Sequence, residues 1–399
     1  MRRALVIAAL GAPAALASLA SFGRADAGPL RLRADALTTT AAPAGLLVLG
    51  ADGAPGPGLS AEAVVWTGSI TDEPRGDVLV IALGARTAGG RASARVGRFV
   101  EALGALRPVH VDGAAGRVGL PLRLVTEAYA GMPVVPGLAT ARGWSWAAGG
   151  RVARRLGDGG SIGVAYAQQR DDGRLASEEL GIDAGAALGD RSDAGAKLVY
   201  DLANPGIAEV AVTASHRRKT LRTEVYVSHR AASHLLPATS LFSVLGDVPA
   251  ERAGAVATWR CAPRLDLIAD LGARRVDRDM APEVVVRARL RLDDLGTSAL
   301  TGELRRDGVG DDMWTGARGA ARIALPHSLA ATTELELVIP DRDRGLGAVW
   351  PWGLAALGWD DGTWQAAVAL EASASPQDRR RVDVLGQLGR RWGSPRSAR

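Results

Sequence analysis

Cysteine is nearly absent: Cys261 is the only one in 399 residues. It excludes an internal disulfide, so an exported form of this chain must be held together by other means. Lysine is almost as scarce, with only Lys197 and Lys219 among 48 basic residues. The arginines that replace it are interspersed with 43 acidic residues and form no concentrated basic patch. Nucleic acid is therefore not an expected partner. Phe and Tyr number three and four, so bulk is supplied by Ala, Val and Leu. Beyond the N-terminus no apolar run reaches the ~18 residues of a membrane helix. Helical periodicity is almost absent there too. No cluster of His, Cys, Asp or Glu has metal-ligand spacing, and "GDGG" reads as a turn, not a phosphate cradle. No cofactor is expected.

The N-terminus is the first positive signal. Arg2 and Arg3 precede an apolar run from Ala4 to Ala20, and Ala25 and Ala27 form a small-residue cleavage site. A positive end, an apolar middle and that site describe a secretory signal peptide over residues 1–27. Residues 28–399 then form the mature chain.

The second signal is period-two alternation. In "PEVVVRARLRLDD" Arg287, Arg289 and Arg291 alternate with Ala288, Leu290 and Leu292. An extended chain sends successive side chains to opposite faces, so one face is aliphatic and the other a guanidinium ladder. The same texture recurs in "LDLIADLGA", "LAATTELELVI" and "TWQAAVALEAS", each about the ~10 residues of a tilted membrane strand. If the aliphatic faces meet lipid, the polar rows line a lumen. Its expected lining includes Lys197, Asp266, Asp270, Arg287, Arg289, Arg291, Glu303, Arg305, Glu334, Glu336 and Glu371.

Link lengths alternate as well. Short links at 120–121, 157–160, 189–191, 217–220, 261–263, 294–296, 326–327 and 359–362 interleave with longer ones at 132–143, 233–249, 276–282, 306–312 and 340–345. The link near Asn204 is a short exception among the long ones. Outer-membrane barrels pair brief periplasmic turns with longer external loops, and this rhythm matches them. Trp144, Trp146, Trp314, Trp350 and Trp352 fall near the external strand ends, and Trp259, Trp359, Trp364 and Trp392 near the periplasmic ends. Two such sets read as aromatic girdles at the two headgroup boundaries. Seven extended segments between residues 30 and 131 bring the maximum to about 22. The fold expected is all-β: a single closed antiparallel transmembrane β-barrel of about 20 strands, within 18–22.

The chain resembles the porin-like outer-membrane β-barrels of Gram-negative bacteria. The local likeness lies in "VGRFVEALGALRPVHVDGAAGRVGLPLRLVTEAYAGMPV", residues 96–134, with Gly97-Arg98, Asp112-Gly113 and Tyr129–Gly131 as its motif. That resemblance implies a channel with Arg98 and Asp112 near a narrow point. It also implies outer-membrane lipid and the barrel-assembly machinery as partners, and small polar solutes as cargo. The chain departs from the family pattern in its few Tyr and Phe and in ending "GSPRSAR" instead of on an aromatic residue.

Three further readings follow from the residues. The arginine ladder favours anions, because guanidinium stays charged and grips carboxylate or phosphate with two parallel bonds. The apolar loop 233–249 is expected to be ordered at one mouth, either folded inward or packed outside. A hydrolase would need a base beside a nucleophile; His110, His216, His229, His234 and His327 are the bases, with Ser215, Ser228 and Ser233 adjacent to three of them. Neighbours in a strand face opposite ways, so those adjacent pairs are poor candidates. The alternative to a membrane channel is a secreted or periplasmic all-β binding protein, such as a propeller.

Overall fold

A computed structural model describes residues 31–40, 44–56, 58–70, 73–134, 144–157, 159–231, 249–342, 349–374 and 380–393. The expected signal peptide and nearly all of loop 233–249 lie outside the described residues. Twenty-two strands form one sheet. The first seven are β1 (Arg31–Thr39), β2 (Ala44–Gly56), β3 (Leu59–Ile70), β4 (Glu73–Arg86), β5 (Ala92–Glu101), β6 (Val109–Gly119) and β7 (Leu124–Pro133). Next come β8 (Trp146–Leu156), β9 (Gly160–Asp171), β10 (Arg174–Ala187), β11 (Ser192–Asp201), β12 (Gly206–Arg218), β13 (Leu221–Arg230), β14 (Ala250–Ala262) and β15 (Leu265–Val276). The last are β16 (Asp279–Arg291), β17 (Ala299–Asp307), β18 (Trp314–Leu325), β19 (Leu329–Pro340), β20 (Trp350–Asp360), β21 (Trp364–Ser373) and β22 (Arg381–Trp392).

Each strand pairs antiparallel with its sequence neighbour. β1 also pairs with β22, from Leu32 opposite Trp392 to Thr39 opposite Leu385, and closes the sheet. Closure leaves no edge strand, so the backbone can be satisfied inside lipid. At ~4.8 Å between strands and a tilt near 40°, this many strands make a cylinder roughly 40 Å across. A propeller, which is built of separate blades, is not this fold.

Directly paired residues share a face, so the register sorts every strand into two rows. One row carries Leu83, Val96, Val152, Val164, Leu180, Val227, Leu271, Leu304, Leu335, Val368 and Val382, all exposed. The other carries ion pairs and a buried cluster. Large exposed aliphatics on one continuous face of a closed sheet are the lipid-facing surface of a transmembrane barrel. The ion-paired rows of the strands and the buried cluster occupy the inside, while some charges, such as Arg98 and Asp112, lie on the outer row.

The rim where β1 begins and β22 ends is called here the terminal rim. Its connections are tight, such as 263–264, 219–220 and 326–328, while the opposite rim carries 102–108, 134–145, 231–249 and 341–349. Two links depart from expectation. Residues 276–282 were expected as a long loop but form a hairpin, Val276 pairing with Asp279 around Asp277 at φ 55°. Asp and Asn tolerate this left-handed region, which is why a two-residue turn suffices. Conversely, the short link expected at 294–296 spans 292–298. Asp293 organises it, accepting from the Thr297 amide at 2.9 Å, the Thr297 hydroxyl at 2.7 Å and the Ser298 amide at 2.6 Å.

These bonds, the Thr297 hydroxyl foremost, hold the Asp293 carboxyl well below the usual carboxylate range. A depressed pKa means that the turn's stabilisation is complete above the unfolded-state value and is lost as pH falls through the folded one. Amide protection at Thr297 and Ser298 should therefore survive acidification through the usual carboxylate range and vanish only below it. In Asp293→Ala it should be weak at every pH. Hydrogen exchange read by NMR checks both.

Candidate functional site: the lumen and its inward segment

The link 102–108 turns into the barrel. Leu103, Ala105 and Leu106 are almost fully buried, in one cluster with Phe99, Val111, Tyr129, Ala147, Ala165 and Val199 from the inner rows of β5 to β11. Its neighbours make room for it. Gly181 on β10 lies directly beneath Leu106, where a Cβ would come within 2.8 Å of the leucine Cδ2. Gly104, at φ 56°, passes so close to Asp183 that a Cβ there would lie 2.1 Å from the carboxylate. Only glycine combines that left-handed backbone with the missing side chain. Arg107 pins the far end of the segment with an ion pair of 2.6 Å to Glu179, both groups largely out of solvent.

Around the segment the wall is ionic. Arg151 bridges Glu127 at 2.8 Å and Asp183 at 2.5 Å. Lys197 and Arg230 share Glu209, at 2.7 and 3.2 Å. Towards the terminal rim a cavity of about 910 Å³ lies against Asp52, Glu62, Arg95, Arg117 and Glu127. Arg95 reaches Glu62 and also lies 4.8 Å over the Phe99 ring.

The far wall carries the expected ladder. Lys197, Asp266, Asp270, Arg287, Arg289, Arg291, Glu303, Arg305, Glu334, Glu336 and Glu371 all fall on the inner row by register. Most are paired across strands. Arg287 Nε donates to Glu303 at 2.7 Å, Arg305 to the same carboxylate at 3.0 Å, and Arg318 meets Glu334 at 2.6 Å. Tyr226 donates to Asp270 at 3.0 Å, and Trp352 Nε1 to Glu371 at 2.8 Å.

Arg98 and Asp112 face the other way. They pair directly, and their register partners are Ile81 and Met132, both strongly exposed on the outer row. Arg98 grips Asp112 through two bonds of 2.8 Å and reaches Asp77 at 3.1 Å. The glycines of the same motif lie one position away on the inner row, Gly97 opposite Gly113 and Gly113 opposite Gly131. At φ 121° a Cβ on Gly97 would strike the Ile81 carbonyl at 2.1 Å. The element that turns inward is the seven-residue link 102–108 between the motif's first two strands, whereas its charged pair lies on the outer row.

The tryptophans divide as well. Trp259, Trp359, Trp364 and Trp392 lie on the outer row near the terminal rim, where Arg390 stacks between Trp364 and Trp392 at 4.6 and 4.7 Å. Trp146 is outward at the opposite rim, and Trp144, in the preceding link, is 80% exposed. Trp314, Trp350 and Trp352 lie on the inner row in register with Asp307, Val338 and Glu336, so they belong to no lipid girdle. Trp66, which carried no role in the sequence reading, is also inward, beside an apolar strip of Leu37, Leu46 and Leu385.

The serine and histidine candidates do not assemble. His216 Nδ1 lies 2.9 Å from Ser192, and Ser215 donates to Asp193 at 2.6 Å. Among the described residues no carboxylate touches His216, and no group of three metal-ligating side chains converges. His234 lies outside the described residues.

No protein-family profile and no curated protein matches the chain. Solved structures do. A mutant of the ferric enterobactin receptor PfeA of Pseudomonas aeruginosa superposes with a TM-score of 0.60 at 8% identity, covering 92% of this chain and 81% of the other. The siderophore receptor PirA of the same species gives 0.54 at 9% identity, with 92% and 80% covered. The translocation pore of the P pilus usher PapC gives 0.51 at 9% identity, with 92% and 99% covered. At this identity the likeness is one of fold: the chain has the fold of large outer-membrane β-barrels.

Proposed function

We propose that the protein is a porin-like channel of the Gram-negative outer membrane that passes small polar solutes by passive diffusion, with anions favoured near its terminal rim. The observation that carries this reading is the pairing of an aliphatic outer surface with a charged inner surface around an inward-folded segment. In this reading residues 1–27 are the export signal and the terminal rim is periplasmic.

Charge along the inner rows supports the anion preference. At the inner positions nearest the terminal rim arginines dominate: Arg33, Arg117, Arg155, Arg217, Arg260, Arg289, Arg291, Arg322 and Arg391. Deeper, carboxylates prevail, among them Asp183, Glu179, Asp201, Glu209, Asp270, Glu303, Glu334, Glu336, Glu371 and Asp383. A charged ring acts on solutes within about 8 Å in physiological salt, so each half screens what passes close to its wall.

Purified protein in planar bilayers should give discrete conductance steps. Under a tenfold KCl gradient the reversal potential should shift toward the chloride value as salt is lowered. A folded barrel without steps would overturn the channel, and a shift toward the potassium value would overturn the anion preference.

A further inference from the structure

On the inner wall between β14 and β19, arginines come in two kinds. Arg287 and Arg318 each hold a carboxylate supplied by a neighbouring strand, and Arg305 shares Glu303 from its own strand. Nearer the terminal rim, Arg289 and Arg322 are exposed and have no hydrogen bond or ion pair among the described residues. The difference lies in the strand between them. Where Glu303 sits opposite Arg287, the following inner positions of β17 are Thr301, opposite Arg289, and Ala299, flanked by Arg291 and Arg322. Ala320 completes the floor on β18, opposite Thr301.

Small residues thus leave space where a carboxylate would otherwise neutralise the wall. Arg291 spends one nitrogen on the Pro263 carbonyl at 2.9 Å and approaches Asp266 at 3.5 Å, while its Nε is buried with no acceptor. Asp266 lies directly opposite Arg289, but Arg260 and Arg291 engage it at 3.3 and 3.5 Å. One carboxylate therefore serves several guanidinium groups. With strands ~4.8 Å apart, Arg291 and Arg322 rise from backbones about 10 Å apart on either side of Ala299, within reach of one small ion between their forks.

We propose that Arg289, Arg291 and Arg322 form an anion-binding cradle over Ala299, Thr301 and Ala320, selective for a compact dianion with carboxylate or phosphate oxygens. The cradle rests on the channel reading for solute access, because an ion must enter the lumen to reach it. Arg289 and Arg322, whose guanidinium groups are unengaged among the described residues, can each give two parallel bonds to oxygens, and Arg291 adds a third positive charge, so a dianion is a better ligand than chloride.

The test is equilibrium dialysis of the folded barrel in detergent against labelled inorganic phosphate and, separately, labelled succinate. The double variant Arg289→Gln/Arg322→Gln should weaken binding of at least one of them tenfold or more, whereas Arg230→Gln, which leaves Glu209 held by Lys197 and lies away from the cradle, should change it less than twofold. Whichever ion binds identifies the oxygen class. A heat-dependent shift in gel mobility confirms that each variant is folded; if the double variant does not fold, Thr301→Glu, which supplies the missing carboxylate, takes its place with the same expected loss. No binding of either ion to the native barrel, or an equal loss in Arg230→Gln, overturns the cradle. Conductance without dianion binding refutes the cradle alone, and dianion binding to a barrel that never conducts refutes the channel alone.

Discussion

Replacing residues 103–107 with two glycines should raise single-channel conductance several-fold. The segment is held inside the barrel by burial of Leu103, Ala105 and Leu106, by the fit of Leu106 over Gly181, and by the Arg107–Glu179 pair. Each buried leucine contributes about 1.5–3 kcal/mol to holding the segment against the wall. With those contacts intact the segment occupies lumen cross-section throughout conduction. Removing it leaves a hairpin between Glu101 and Val109, whose strands still pair with each other and with β4 and β7.

A point substitution tests the same idea with less disturbance. Gly104→Val places a branched side chain where even a Cβ lies 2.1 Å from Asp183, at a backbone angle that disfavours β-branched residues. It should expel the segment and move conductance in the same direction. Unchanged conductance in both folded variants would show that the segment does not limit flow.

Arginine at Val368 should cost about 2–4 kcal/mol of folding free energy into vesicles, the range for a charge on the lipid face at the bilayer midplane. The same substitution one residue on, at Ala369, should cost little. Val368 lies mid-strand on the outer row, 52% exposed and in register with Leu357, whereas Ala369 lies inward in register with Ala356 and Leu385. Urea titration of the two variants in the same vesicles provides the comparison. The reverse ranking would mean that the two faces have been assigned the wrong way round.

How far the sequence carried the reading differs by feature. The strands were legible because alternation is a local property, and the seven segments expected before residue 132 match β1 to β7 to within a few residues. The inward address of the Arg287, Arg289 and Arg291 ladder was legible for the same reason, since hydrophobic neighbours on the opposite parity mark the lipid side. Strand number was legible only as a range, because nothing local says whether a marginal hairpin pairs.

Trp314, Trp350 and Trp352 show where position along a strand is insufficient. Their place near one rim was readable, but a girdle also requires the outward parity, and register with Asp307, Val338 and Glu336 turns them inward. Arg98 and Asp112 show the same for a motif. The family resemblance implied a place near a narrow point for them, yet the glycines beside them take the inner positions and the ion pair lets both charges lie outward together. The segment 102–108 gave little warning: it is short, and its apolar content is small beside that of 233–249.

By itself the sequence determined that this chain is a series of two-faced strands, because the period-two pattern follows from backbone geometry and is written residue by residue. It also determined that the charges would be arginine and carboxylate in near balance. Only the tertiary structure decided that the strands close between β1 and β22, that 102–108 turns inward, and which arginines are left without a carboxylate. Those outcomes depend on which residues stand opposite one another across strands, and pairing between distant segments is not a property of any local stretch.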